Sequence, residues 1–327
     1  MQHGLRVTAP GRCEFSSQPL RSPSFAEVTV ATEYLGICGS DIRHIYGPGP
    51  AEPRSGSGLG SPGHEIAGRV VACPSGRFRN GDAVLVVPLP AQASGFVDVL
   101  NVDESRVLPL GGSMGTMRGV LCQQIGTVIH ALKRLWPGDG GETAVVVGGG
   151  SAGQAFVALL KRRGFRQVIV ADLWRGRLEA CRSFGADVLV QVSETDLGQV
   201  VNDFTRGRGA DLAVDAAGLP ESRKSAMGCV GFRGKVGFFG LPGREPVEEF
   251  PFATLFARQA RLEMVVGTQN EPGLASFREA IGLVGSGALE VDDMVSHRFP
   301  LDQIAAALEL ARKGGHDVRK VLIENSP

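Results

Sequence analysis

Between an unbroken apolar run, Thr143–Val147, and an amphipathic stretch, Ala152–Arg163, the chain reads Gly148-Gly149-Gly150-Ser151-Ala152-Gly153. Glycines at 148, 150 and 153 complete a G-x-G-x-x-G turn, and few backbones accept one. Gly148 lets a strand turn at once into a helix, Gly150 removes the side chain that would keep an anion off the backbone, and Gly153 lets helix and strand pack closely. Ser151, Ala152 and Gly153 open the helix, whose free N–H groups favour a phosphate. The next apolar run, Gln167–Ala171, ends at Asp172, 22 residues after Gly150, where a carboxylate can hold ribose hydroxyls. Together these features predict a dinucleotide site. Asp172 also repels a 2′-phosphate, which favours NAD over NADP, while Arg177 and Arg175 nearby temper that preference. The plainer alternatives are a helix-capping role for Asp172 and surface charge for the two arginines.

The same alternation of apolar strand, glycine turn and amphipathic helix continues through Arg175–Phe184, Leu212–Asp215, Lys235–Gly240 and Leu262–Gly267. It predicts an α/β fold with a doubly wound parallel sheet of about six strands. Upstream the pattern differs. Glu27–Tyr34, Ile66–Ala72 and Ala83–Val87 are short β-rich runs between turn residues, as in a mainly β domain. Gly47–Pro62 is too rich in Gly, Pro and Ser for a regular element and reads as an exposed loop. A strand at Met294–Phe299, a helix at Leu301–Arg312 and a strand at Arg319–Glu324 close the chain and are expected to return to the first domain. The expected division is 1–121 with 287–327 as the catalytic domain, and 122–286 as the nucleotide-binding domain.

Lys plus Arg and Asp plus Glu are equal at 34 each, so the overall balance points to neither nucleic acid nor an anionic membrane as a partner. A small molecule fits better. The first fifteen residues lack a secretory apolar core, and no stretch approaches the ~20 apolar residues of a membrane span. The six cysteines, at 13, 38, 73, 122, 181 and 229, form no close pair, which suits a reducing, cytoplasmic setting.

Two fragments of the β-rich part carry chemistry: Gly36-Ile37-Cys38-Gly39-Ser40-Asp41 and Pro62-Gly63-His64-Glu65-Ile66-Ala67-Gly68. A Cys38 thiolate, a His64 imidazole and a Glu65 carboxylate would make the S/N/O donor set of a catalytic zinc with one open position. A cysteine or histidine taken alone is more often structural.

The pair GICGSD and GHEIAG, followed by the nucleotide-binding half, resembles the zinc-containing medium-chain dehydrogenase/reductase family, its sorbitol and threonine dehydrogenase branches in particular. The resemblance spans nearly the whole chain and includes VLCQQIGTVIHALKRL, DLAVDAAG and HDVRKVLI. It implies a GroES-like catalytic domain and hydride transfer between a secondary alcohol (polyol, cyclitol, sugar or amino-polyol) and NAD. It also implies a zinc Lewis acid on Cys38, His64 and Glu65, with Asp41 behind the ligands and Ser40 passing on the substrate proton; a backbone-bonded turn serine is the plainer reading of Ser40.

Three departures stand out. Gln123 aligns with a Glu or Cys that often ligates zinc in relatives, which leaves the remaining position to Gln123, Cys122 or water. No cysteine lies between Cys73 and Cys122, so the usual cysteine-rich lobe and its structural zinc cannot form, and Pro88–Asp98 joins the flanking strands directly. One catalytic zinc and no structural zinc are therefore expected, with a homodimer or homotetramer as the assembly. Arg43 replaces a relay histidine of relatives, with His44 one position later; His130 receives no catalytic role. Two alternatives follow: a zinc-free reductase of the quinone oxidoreductase type, or a non-catalytic NAD-binding protein.

Overall fold

The computed structural model describes residues 1–47, 58–112, 114–242 and 249–325. Most of the expected loop at 47–62, its residues 48–57, lies outside the described residues. The chain forms two compact units: Met1–Thr127 with Thr268–Gly314 and Lys320–Pro327, and Val128–Gly267 with Gly315–Arg319. Residues 268–286, which the sequence pattern groups with the nucleotide-binding half, lie in the first unit.

The first unit is mainly β. It contains β1 (Gln2–Ala9), β2 (Arg12–Gln18), β3 (Glu27–Gly36), α1 (Gly39–Tyr46), β4 (Glu65–Ala72), β5 (Ala83–Val86), β6 (Val99–Asp103) and β7 (Val107–Pro109). Helix α2 (Thr116–Leu135) carries the chain into the second unit. There follow β8 (Gly141–Val147), α3 (Ser151–Arg162), β9 (Phe165–Asp172), α4 (Arg175–Ser183), β10 (Val188–Gln191), α5 (Leu197–Thr205), β11 (Ala210–Asp215), α6 (Pro220–Cys229), β12 (Val230–Phe238), α7 (Phe252–Ala257) and β13 (Arg261–Met264). Helix α8 (Ala275–Gly285), β14 (Val295–Pro300), α9 (Ile304–Lys313) and β15 (Lys320–Glu324) complete the chain.

In the second unit six strands pair in parallel, in the order β10-β9-β8-β11-β12-β13. The order reverses between β8 and β11, the switch point at which such sheets bind ligands beyond their C-terminal ends. Val145, Val146, Ile169, Val170, Ala213 and Val214 are fully buried, which is why these strands read as unbroken apolar runs rather than alternating ones. The edges have local causes. Strand β12 stops at Phe238 because the N–H groups of Phe239 and Gly240 both turn back to the Asp215 carbonyl, 3.0 and 2.9 Å away. Asp196 caps α5 by accepting from the Gln199 N–H at 2.7 Å, and Arg206, in the left-handed region at φ 53°, ends it.

In the first unit β1 and β2 form a hairpin, and seven strands form the larger sheet, β14-β15-β3-β4-β5-β7 with β6 also on β3. Strand β3 does most of the positioning. Its far end pairs Gly36 with Glu65 of β4 on one side and with Leu322 of β15 on the other. Val28, Val30 and Leu35 anchor it in the core without exposure. Residues 38, 65 and 320 thereby arrive at one end of the same sheet, although they are far apart in sequence.

Candidate active site

The glycine turn has the geometry its spacing predicts. Gly148 adopts φ +111°, a region closed to most side chains, and donates its N–H to the Ala171 carbonyl at 2.8 Å. A Cβ on Gly153 would lie 1.9 Å from the Gly148 carbonyl oxygen, so only glycine lets α3 start so close to β8. A Cβ on Gly150 would meet nothing within 4 Å. The space a side chain would fill is an open cradle over the N-terminus of a twelve-residue helix, and that is the fit a pyrophosphate requires. Ser151 and Ala152 occupy the first turn below it.

Asp172 ends β9 and is 8 % exposed. Its Oδ2 accepts from the Gly149 N–H at 2.7 Å and its Oδ1 from the Trp174 N–H at 2.8 Å. The carboxylate therefore braces the glycine turn, and it retains acceptor capacity for ribose hydroxyls. It does not cap α4, where Trp174 holds the N-cap position. Arg177 brings its Nη1 within 4.0 Å of Asp172 Oδ2 and donates from Nε to the Val318 carbonyl at 2.8 Å. Arg175 is exposed and lies 3.9 Å from Glu179 on its own helix.

In the first unit Cys38, His64 and Glu65 converge: one ligand atom from each lies within 4.8 Å of the others, and no other Cys/His/Asp/Glu group of this kind occurs among the described residues. Cys38 stands at the N-cap of α1, where its N–H donates to Asp41 Oδ2 at 2.9 Å. Asp41 is fully buried, with Oδ1 3.0 Å from His64 Nδ1. Burial alone would disfavour the imidazolium, but the Asp41 carboxylate and the neighbouring Cys38 outweigh it and hold the His64 pKa well above its ordinary value. Gly36 makes room for the third member, since a Cβ there would sit 1.9 Å from Glu65 Oε2.

Lys320 was missed by sequence reasoning. Its ammonium, 1 % exposed, donates to Glu65 Oε1 at 2.8 Å, to the Ile37 carbonyl at 3.3 Å, and stands 2.6 Å from Glu65 Oε2. A lysine opening the apolar strand run Val321–Ile323 was the available signal, because a charge buried at the head of such a run requires a partner. Glu65 Oε2 accepts no well-aligned hydrogen bond among the described residues. A half-buried thiol and imidazole beside a buried carboxylate with a spare acceptor form a donor set that fits zinc.

Gln123 lies on α2, 3 % exposed, and its backbone carbonyl accepts from Thr127 Oγ1 at 3.0 Å. Cys122 directs its thiol to the Arg118 carbonyl at 3.6 Å, and burial pushes its pKa up to about 12, so it is a core thiol rather than a ready ligand. Ser40 lies in the first turn of α1; its carbonyl, not its hydroxyl, meets His44 Nδ1 at 2.6 Å, and His44 is exposed. The shortened segment 88–98 fastens the His64 loop instead of forming a lobe. The Gly95 N–H donates to the Gly63 carbonyl at 2.8 Å and the Phe96 N–H to that of Gly60 at 3.0 Å.

Two family models match most of the chain between them: an alcohol dehydrogenase GroES-like domain over residues 24–131 and a zinc-binding dehydrogenase over residues 152–286. The chain is 27% identical to the sorbitol dehydrogenase of Bacillus subtilis, covering 93% of this chain and 92% of that protein. It is 24% identical to the erythritol/L-threitol dehydrogenase of Mycolicibacterium smegmatis, over 95% of this chain and 94% of the relative. A crystal structure of an Escherichia coli oxidoreductase/dehydrogenase of unknown specificity superposes with a TM-score of 0.88 at 25% identity, covering 100% and 99% of the two chains. These matches favour neither a zinc-free reductase nor a non-catalytic protein.

Proposed function

We propose, from the premise that the chain belongs to the zinc-binding alcohol dehydrogenases with a GroES-like domain, that it oxidises a polyol-like secondary alcohol to the ketone with NAD, using one zinc per chain. The observation that carries this reading is the convergence of Cys38, His64 and Glu65 within 4.8 Å. Its relatives that act on sorbitol and on erythritol or threitol support the substrate class. A structural zinc is not part of the proposal, since no cysteine occurs between residues 73 and 122.

Zinc held by Cys38, His64 and Glu65 would supply Lewis acidity toward the alcohol oxygen, and NAD at the glycine turn would supply the hydride acceptor. The protein does the rest. Asp41 engages His64 through Nδ1 and so leaves Nε2 as the nitrogen free for a metal. Lys320 holds Glu65 in place and offsets its charge. Ser40 receives the substrate proton, and His44, bonded to the Ser40 carbonyl, steadies that turn. On the cofactor side Asp172 takes the ribose hydroxyls and disfavours a 2′-phosphate, which sets the preference for NAD. No helix among the described residues is long and apolar enough to cross a membrane. Self-association as a homodimer or homotetramer belongs to the same reading, since among the described residues β13 ends its sheet with an unpaired edge and exposes Met264 and, just beyond, Val266.

The test is metal content of protein purified without chelator, beside Cys38→Ala. Near one zinc per chain, lost in the variant together with about a thousandfold in kcat/KM while the NADH Kd stays within about twofold, is the expected result. Absence of zinc after supplementation, or equal loss of turnover and NADH affinity, overturns it.

A further inference from the structure

Beneath the glycine turn two buried side chains reach for the same backbone atom. Gln154, fully buried on α3, donates from Nε2 to the Gly149 carbonyl at 3.1 Å. Cys181, fully buried on α4, directs its thiol to that same carbonyl at 3.6 Å. On the other side of the residue, the Gly149 N–H is held by Asp172 at 2.7 Å. Gln154 Oε1 accepts nothing among the described residues, so gripping Gly149 is the one polar contact shown for its amide. A glutamine flanked by Ala155, Phe156 and Val157 on an otherwise apolar buried surface is costly to keep unless that grip matters.

Peptide geometry says what the grip achieves. In a trans peptide the C=O and the following N–H point in opposite directions. With the Gly149 carbonyl turned inward to Gln154 and Cys181, the Gly150 N–H is turned away from the buried side chains. It has no partner among the described residues, and Gly150 faces open space where a Cβ would be. A neighbouring glycine peptide without such an anchor rotates readily, because glycine accepts both signs of φ.

We propose that Gln154 and Cys181 are positioning residues for the dinucleotide: by clamping the Gly149 carbonyl they keep the Gly150 N–H aimed at the pyrophosphate. The inference rests on the dinucleotide reading of the turn and adds to it two side chains that never touch the ligand. Asp172 completes the clamp, so the residue that reads the ribose and the backbone that holds the phosphates are set by one arrangement.

The experiment compares three ligands by calorimetry on the full chain: NADH, ADP-ribose and adenosine, the last without phosphates. In Gln154→Leu, NADH and ADP-ribose are expected to weaken together by about tenfold, the scale of one hydrogen bond to a charged group, while adenosine is unchanged. The KM for NAD should rise in step and kcat at saturating NAD change by less than about twofold. Cys181→Ala tests the second contact if Gln154→Leu folds poorly. It should weaken the two pyrophosphate ligands by about two- to threefold, with recovery in Cys181→Ser, which restores a donor. Equal weakening of all three ligands, or no change in NADH affinity, overturns the clamp. Failure of the parent protein to bind NADH and ADP-ribose overturns the dinucleotide reading and the clamp together, and is seen before any substitution is made.

Discussion

The glycine turn at 148–153 and the cluster at Cys38, His64 and Glu65 are two ways of building a site. In the proposed cofactor turn the atoms that would meet the ligand are backbone N–H groups, and side chains hold that backbone: Asp172, Gln154 and Cys181 all grip Gly149. In the proposed metal cluster the atoms that would meet the ligand are side chains, and the backbone serves them through the register that sets Gly36 beside Glu65 and Leu322. A backbone site is therefore written as spacing between residues that have no side chain. A side-chain site depends on pairings between distant segments, and each of its members can be removed singly.

The largest expected effect on stability falls on the side-chain site. Lys320→Met leaves the Glu65 carboxylate buried without its ammonium, which should cost about 3–5 kcal/mol in urea unfolding. Adding Glu65→Gln should return a large part of that loss, because the uncompensated charge is gone. If Lys320→Met alone unfolds at the parent's urea concentration, the pair contributes nothing and Glu65 is held by packing.

The turn should break differently at its two glycines. Gly153→Ala forces a methyl against the Gly148 carbonyl and is expected to destabilise by about 2 kcal/mol, the usual scale of overpacking. Gly150→Ala meets no protein atom, so the unfolding midpoint should hold while NADH binding falls, the methyl having taken the ligand's space. Loss of stability at 150, or intact NADH binding there, would show that the cradle is not where the phosphates lie.

The same contrast explains how much was legible in the sequence. The parallel sheet was readable because its strands, buried on both faces, are unbroken apolar runs. The backbone geometry of the glycine turn was readable because glycine spacing sets it. Cys38, His64 and Glu65 were readable as residue types with a family resemblance, but their meeting point depends on sheet register, which no local pattern states. Lys320 could not be joined to Glu65 for the same reason, the two standing 255 positions apart in sequence. Gln154 and Cys181 looked like ordinary helix residues, since what distinguishes them is the carbonyl above them. Strand β10, a mostly half-buried strand at the edge of the sheet, was not among the runs read as strands.

Cys181 offers the finest test of the brace under the turn, through alkaline stability. Burial pushes its thiol up to about 12 from the ordinary 9.0. The folded state thus keeps a proton that the unfolded chain gives up above pH ~9, and a raised pKa contributes stability that is present below the unfolded value and lost as pH climbs toward the folded one. Between pH 8 and 10 that loss amounts to about 1.4 kcal/mol for one thiol. Cys181→Ser carries no thiol to ionise, so its stability should fall by about that much less than the parent's over the same interval, measured by urea unfolding at each pH. Cys122 and Cys229, also pushed up to about 12, remain in both proteins and cancel in the comparison. Parallel declines in the two proteins would mean that the thiol beneath Gly149 is reached by water in the folded state, and a turn open from below could not hold its peptide by burial.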